Sequence, residues 1–199
     1  MSSLADREKQ LLLEVARRAL VLAVERRESL VDFPAHEGLH RPAGAFVTLR
    51  RRRELRGCIG QFASSDPLVQ VVAYCAKAAA LDDPRFSPLR PAELANIEIE
   101  ISVLSPPAEI SADRIEIGTH GLIVSRGWQR GVLLPQVAVE LRLTPARFLE
   151  ETCVKAGLAR GDWMDPATRI QAFTAEVFSE SDFRAESQAR PEPGYSSST

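Results

Sequence analysis

Hydrophobic residues recur along the chain with two different periods, and these periods predict where helices and strands lie. Residues 5–27 carry apolar side chains three or four positions apart, the spacing of a helix with one buried face. A similar stripe begins at Leu68, after the sequence Ser-Asp-Pro, and predicts a helix to about Leu81. Residues 97–104 alternate strictly between apolar and polar, which is typical of a strand with one buried face.

The remaining segments predict shorter elements of both kinds. β-Branched and aromatic content predicts further strands at residues 44–49, 55–59, 115–118, 120–126, 132–134 and 168–178. Proline and threonine starts predict short helices at residues 91–96, 135–141 and 144–156. Because several strands form hairpins and no regular strand–helix–strand rhythm appears, the sequence predicts an α+β fold with a largely antiparallel sheet and flanking helices.

The C-terminal end differs in composition from the rest of the chain. From residue 185 the sequence is rich in serine, proline and charged residues, which predicts a disordered tail over residues 185–199. Residues 1–184 then form one folded unit, because 45% of the 199 residues are apolar and supply a full core.

The net charge narrows the range of partners. It is −2 at neutral pH, whereas proteins that bind nucleic acid usually show a clear basic excess, so nucleic-acid binding is not expected. The run of arginines at residues 50–53 has two readings, a phosphate-binding patch or the exposed tip of a hairpin, and the flanking strands favour the hairpin.

The cysteines and the hydropathy indicate the compartment. An odd number of cysteines, Cys58, Cys75 and Cys153, suits a reducing environment better than a disulfide framework. No segment approaches the length of a membrane span. We therefore expect a cytoplasmic protein without a membrane interaction.

Two histidines and a glutamate match the letters of a zinc-protease motif at residues 36–40, His-Glu-Gly-Leu-His. That chemistry needs both histidines on one face of a real helix, together with a third ligand. Here prolines flank the segment and a glycine interrupts it, which is poor helix material. We predict no metal site, and the sequence identifies no cofactor.

The strongest candidate for chemistry is the stretch at residues 54–60, Glu-Leu-Arg-Gly-Cys-Ile-Gly. Strand alternation places Leu55 and Ile59 on a buried face and Arg56 and Cys58 together on the other. A guanidinium beside a thiol favours the thiolate. The alternative is that Cys58 is a small buried residue that fills a gap, as free cysteines usually are.

A loop at residues 82–89 is the second candidate. It combines two carboxylates with an arginine and an aromatic residue between prolines, Asp-Asp-Pro-Arg-Phe-Ser-Pro-Leu. From the local pattern alone it either binds a ligand or ends a helix and turns the chain.

Short sequence words spread over about residues 8–180 resemble the AMMECR family, whose bacterial and archaeal members are called AmmeMemoRadiSam system protein A. The words lie at residues 44–49, 55–60 (Leu-Arg-Gly-Cys-Ile-Gly), 83–86 with 88–89, 120–121, 134–137 and 155–157, in the family's order. The resemblance implies a domain of two closely joined lobes in which these words gather at a cleft. It also implies a partnership with a Memo-like protein and a radical S-adenosylmethionine enzyme.

Two functions follow as expectations. The first is an enzyme or small-ligand site with Cys58 as nucleophile and His120 as its base. The ligand-binding residues would then be Arg56, Gly57, Gly60, Asp83, Arg85 and Gln136. The second is a non-catalytic interaction or regulatory module, in which Cys58 is structural.

Overall fold

The computed structural model of the chain describes residues 3–27, 31–62 and 64–188. Over these ranges the α-helices are α1 (Asp6–Val24), α2 (Leu68–Leu81), α3 (Pro135–Glu140), α4 (Pro145–Lys155) and α5 (Glu180–Gln188). The strands are β1 (Ala45–Arg51), β2 (Glu54–Gln61), β3 (Ile97–Leu104), β4 (Ala108–Glu109), β5 (Gly121–Arg126), β6 (Gln129–Leu133), β7 (Arg169–Phe173) and β8 (Ala175–Ser179). Both sheets are antiparallel, so the predicted α+β class is confirmed.

The chain divides into two compact units. The first contains residues 3–102 and continues from residue 177, and the second contains residues 103–176. The described part of the first unit is built on a sheet in the order β2-β1-β3-β8, and that of the second unit on a sheet in the order β4-β7-β5-β6.

The first unit is a stack of helices on one face of its sheet. Helix α2 packs on β1 and β2, and α1 packs on α2. The residues that mediate this packing are apolar on both helices; among them Leu12 and Leu20 of α1 and Val69 and Val72 of α2 are fully buried. Helix α2 is buried along most of its length, because it lies between the sheet and α1.

The second unit packs its helix on the other sheet. Helix α4 lies on β5 and β6, and its Phe148 and Leu149 join Leu122 and Val124 in the core. Thr144 caps α4 by accepting the backbone N–H of Arg147. Gly157 follows the helix with a φ of 76°, the left-handed conformation that a glycine adopts without strain.

Two predicted strands were wrong. Residues 115–118 form no strand; they lead into a turn in which the N–H groups of Thr119 and His120 donate to the Glu116 carbonyl. The predicted strand at 168–178 is two strands, β7 and β8, which join different sheets with Thr174 between them. The apolar residues have the same period in β7 and in β8, so the two strands are told apart only by the strands with which they pair.

The C-terminal region contains a helix that the sequence analysis did not predict. Helix α5 runs to Gln188, past residue 185 where we expected the tail to begin, and residues 189–199 lie outside the described residues. None of the helices over the described ranges is long and apolar enough to cross a membrane.

The predicted alternation along β2 was wrong at its start because of a β-bulge. Leu49 lies opposite Gly57, but Arg50 lies opposite Leu55, so β2 carries one additional residue, Arg56. An extra residue reverses the facing of everything before it. Leu55 is therefore 39% exposed instead of buried. Ile59, which lies after the bulge, is half-buried.

Candidate functional site

Cys58 lies near the middle of β2, which is an edge strand of its sheet. Its side chain faces the same side as Thr48, its antiparallel neighbour on β1, and the Thr48 hydroxyl lies 3.4 Å from the Cys58 sulfur. The thiol is half-buried. Helix α2 covers the opposite face of the strand, so the thiol points away from the helical layer.

The loop after α2 fixes the main chain of Cys58 at the free edge of the sheet. The Cys58 N–H donates to Asp83 Oδ2 at 2.8 Å, and the Cys58 carbonyl accepts from Arg85 Nη2 at 3.3 Å. One carboxylate and one guanidinium thus satisfy the two backbone groups that an edge strand leaves unpaired. The two sequence candidates, the stretch around Cys58 and the loop at 82–89, are parts of one structure.

Asp83 is the centre of this arrangement. Its side chain is 2% exposed, and its two oxygens accept from the Cys58 N–H, the Arg85 N–H, Arg85 Nε at 2.9 Å and Arg85 Nη2 at 2.7 Å. The hydrogen bonds from the Arg85 side chain are the main reason that the pKa of Asp83 lies far below its usual value. Asp83 therefore holds structure and has no oxygen left for a ligand.

Arg85 extends the arrangement to the thiol. Its hydrogen bonds to Asp83 raise the pKa of the guanidinium, and the nearby Cys58 side chain contributes further to that rise. Its side chain is 55% exposed, so the outer edge of the guanidinium is open to solvent. The aromatic ring of Phe86 lies 5.6 Å from its central carbon, within the range of a cation–π contact.

Arg56 has a different partner from the one that the sequence suggested. Its guanidinium makes two hydrogen bonds to the Glu93 carboxylate, Nε at 3.1 Å and Nη2 at 3.2 Å. Glu93 is buried, and its hydrogen bonds to Arg56 lower its pKa below the usual range. Both arginines of the candidate site thus form two-bond pairs with buried carboxylates, Arg85 with Asp83 and Arg56 with Glu93. Sequence reasoning missed Glu93, because its position in a 3-10 helix beside Arg90 gave no signal of such a role.

The two glycines of the stretch at 54–60 are required by the packing of the protein's own atoms. A Cβ on Gly57 would overlap the carbonyl oxygen of Ala79 in α2, and a Cβ on Gly60 would overlap the ring of Phe46. The space that we expected a ligand to use at these positions is therefore filled, at Gly57 by a helix backbone and at Gly60 by an aromatic ring.

His120 and Gln136 belong to the second unit, whereas the other predicted site residues belong to the first. His120 precedes β5, and its Nδ1 accepts the Glu116 N–H at 3.1 Å. A neutral ring with Nδ1 as acceptor carries its proton on Nε2. Gln136 is exposed near the start of α3.

The other two cysteines are core residues. Cys75 and Cys153 are fully buried, and burial raises the pKa of Cys75 to about 11 and also raises that of Cys153. Burial therefore keeps both thiols protonated at neutral pH.

The histidine pair of the first loop flanks a single 3-10 turn, Glu37–Leu39, and does not lie on an α-helix. His40 Nε2 lies 3.0 Å from the Pro34 carbonyl, and His36 faces the Glu8 carboxylate. Within the described ranges no three histidine, cysteine, aspartate or glutamate side chains are grouped so that they could hold a metal ion.

The fold and this site define an α+β protein with two antiparallel sheets and a cysteine fixed on an edge strand. The AMMECR1 family model matches residues 13–178. A protein of Methanopyrus kandleri is 42% identical over 87% of this chain and 88% of its own length. A protein of Aquifex aeolicus is 41% identical over 85% of this chain and 91% of its own. This chain belongs to the AMMECR1 family.

A solved structure shares the fold as well. An uncharacterized protein from Pyrococcus horikoshii is 38% identical, covers 89% of this chain and 93% of its own, and superimposes with a TM-score of 0.78. The family resemblance that the short sequence words indicated is thereby confirmed.

Proposed function

We propose that the protein binds or converts a small molecule through the Cys58 thiol, as an intracellular protein. The observation that carries the proposal is the rigid presentation of this thiol. Both backbone groups of Cys58 are held by the pair of the buried Asp83 and the half-exposed Arg85, while the Cys58 side chain stays half-buried on the face away from the helices. A reactive group held in one position by its supports is what a catalytic or ligand-binding thiol requires.

The charge beside the thiol supports the same role. Arg85 supplies a cation next to Cys58, because its guanidinium donates to the Cys58 carbonyl and keeps an exposed edge. A thiolate formed there, or an anionic ligand, gains from this charge. The role of His120 as base and that of Gln136 as a ligand contact remain predictions, as does joint action with a Memo-like protein and a radical S-adenosylmethionine enzyme.

The experiment measures the alkylation rate of each cysteine in the native chain with iodoacetamide at pH 7, by intact mass and peptide mapping. We expect Cys58 to react, and Cys75 and Cys153 to react only after denaturation. Arg85→Gln should slow the alkylation of Cys58 at least threefold, and Arg85→Lys should retain most of the rate, because it keeps the charge.

Lys77→Gln is the matched control, since it removes one exposed positive charge from α2 in the same unit. It should leave the rate unchanged. A Cys58 that reacts no faster than in the denatured chain, or a rate that Arg85→Gln leaves unaltered, argues against a reactive thiol at this position.

An interaction module is the second candidate, and an apolar groove on the helical layer favours it. A cavity of about 380 Å³ beside α1 and α2 is lined mostly by apolar and aromatic side chains, with Arg27, Gln70 and Lys77 among them. Its residues Phe33 and Tyr74 are 39% and 56% exposed. Exposed aromatic residues around a groove are typical of protein contact sites. If a Memo-like protein binds this groove, Tyr74→Ser should abolish its co-purification while Cys58→Ser leaves it intact. The opposite pattern would favour the thiol site.

A further inference from the structure

The second unit contains a cavity of about 240 Å³ whose lining residues all belong to that unit. One wall is the segment that carries β4, with Pro106 and Ala108, and the other is the end of β7, with Ala172 and Phe173. These side chains are apolar, so the cavity offers a small molecule a hydrophobic surface.

Arg114 lines this cavity and also a neighbouring one of about 510 Å³. It is exposed at the end of a 3-10 turn, and within the described ranges no carboxylate forms a salt bridge with it. The acidic residue of the same wall, Glu109, is already neutralised by Arg169, whose Nε lies 2.8 Å from Glu109 Oε1. The neighbouring Asp113 carboxylate accepts from the Ser111 side chain and interacts with the Arg114 charge without a salt bridge to it. Arg114 therefore presents an exposed guanidinium that no carboxylate of the described ranges pairs directly.

His120 adds a hydrogen-bond donor to the same cavity. Its Nδ1 is occupied as an acceptor by the Glu116 N–H, so the neutral ring carries a proton on Nε2, the nitrogen that Glu116 leaves free. A guanidinium and an imidazole N–H together suit a group with negative oxygen atoms.

We propose that this cavity is a binding site for a small carboxylate. Arg114 holds the carboxylate by charge-assisted hydrogen bonds, and His120 Nε2–H donates to it. The apolar remainder of the ligand contacts the wall formed by Pro106, Ala108 and Phe173. Those apolar contacts distinguish a carboxylate that has a hydrocarbon body from free phosphate, which has none. The site goes beyond the thiol function, because Cys58 is not among the residues that line the cavity.

The test is an NMR titration of the isotope-labelled full chain with sodium benzoate at pH 7.5 and constant ionic strength. We expect saturable shifts at the His120 ring Cε1–H and at the amides of Gly121 and Ala172. Arg114→Gln should weaken the fitted affinity at least tenfold, because it removes the charge that holds the carboxylate. Arg130→Gln is the matched control: Arg130 is also an exposed arginine of this unit but lies outside the cavity, and its variant should bind like the native chain.

Two further titrations test the class of ligand and the independence of this site from Cys58. Sodium phosphate should compete poorly, and Cys58→Ser should bind benzoate normally, whatever becomes of the thiol function. Shifts that do not saturate, or that both arginine variants reduce equally, overturn the site. Saturable, Arg114-dependent shifts with phosphate but not with benzoate overturn the assignment to a carboxylate. The amide spectrum of each variant shows whether it is folded.

Discussion

The Asp83 carboxylate accepts the backbone N–H of Cys58 at 2.8 Å, and so a side chain from a loop takes the place of a neighbouring strand. Arg85 supplies the second hydrogen bond that a neighbouring strand would make, by donating to the Cys58 carbonyl. An edge strand normally exposes these groups to water or to another chain. Here they are fixed by an ion pair whose carboxylate is buried, which holds the thiol in place and protects the edge.

Removing the Asp83 charge should cost considerable stability. Asp83→Asn loses the charge-assisted bonds to Arg85 and weakens the acceptor for the Cys58 N–H, so we expect a loss of about 2 kcal/mol in the free energy of unfolding. Urea denaturation at pH 7 measures it. Asp82→Asn is the control, because Asp82 is the exposed neighbour. Equal stability of the two variants would show that the buried bonds contribute nothing.

The stability should also depend on pH in the acid range. Folding lowers the pKa of Asp83 below its usual 3.8 and that of Glu93 below its usual 4.5. The unfolded chain therefore takes up these protons first, so the stabilisation is complete above about pH 5 and declines as the pH falls through 4 and below. Denaturation of the native chain and of Asp83→Asn at pH 7, 5, 4 and 3 should give curves that converge toward low pH. A difference that stays constant with pH would contradict the linkage.

Gly57 should tolerate no side chain. Gly57→Ala forces a methyl group against the Ala79 carbonyl of α2, and a helix backbone yields little, so we expect a loss of about 3 kcal/mol. The control is Gly161→Ala, whose added Cβ would meet only Met164 Cε at 3.5 Å. Thermal denaturation compares the two variants. A Gly57→Ala chain as stable as the control would mean that α2 can move away from β2.

The hairpin tip should gain stability from residues suited to its geometry. Arg52 and Arg53 have φ angles of 53° and 70°, the left-handed pair that asparagine and glycine adopt with less strain. Replacing them by Asn and Gly should stabilise the chain by about 1 kcal/mol. The control is the pair of changes Arg52→Gln and Arg53→Gln, which removes the same charges and keeps the strain. A gain of equal size in both variants would assign the effect to charge.

The sequence predicted the elements that local patterns encode. Helices α1, α2 and α4 and strands β1 and β3 lie where periodicity and capping residues indicated them, because burial of one face imposes its period on the sequence. The AMMECR1 family was also accessible from short sequence words, since these combine in a fixed order. The loop at 82–89 and the stretch at 54–60 were both singled out.

The sequence could not reveal what depends on contacts between distant segments. The bulge at Arg56, which turned Leu55 outward, is a property of the β1–β2 pairing and leaves no mark on β2 alone. The pairing of Arg56 with Glu93 joins positions 37 residues apart. Similarly, β7 and β8 read as one strand until their partners assign them to two sheets.

By itself the sequence determined helices α1 to α4, most of the strands and the family, and it singled out Cys58 and the loop that follows α2 as candidates. The tertiary structure alone decided how these two segments meet. It showed that Asp83 and Arg85 hold the backbone of Cys58, and that Gly57 and Gly60 make room for the protein's own atoms. The physical reason is that hydrophobic period and capping act over a few residues, whereas hydrogen-bond partners and steric neighbours are set by how the whole chain folds.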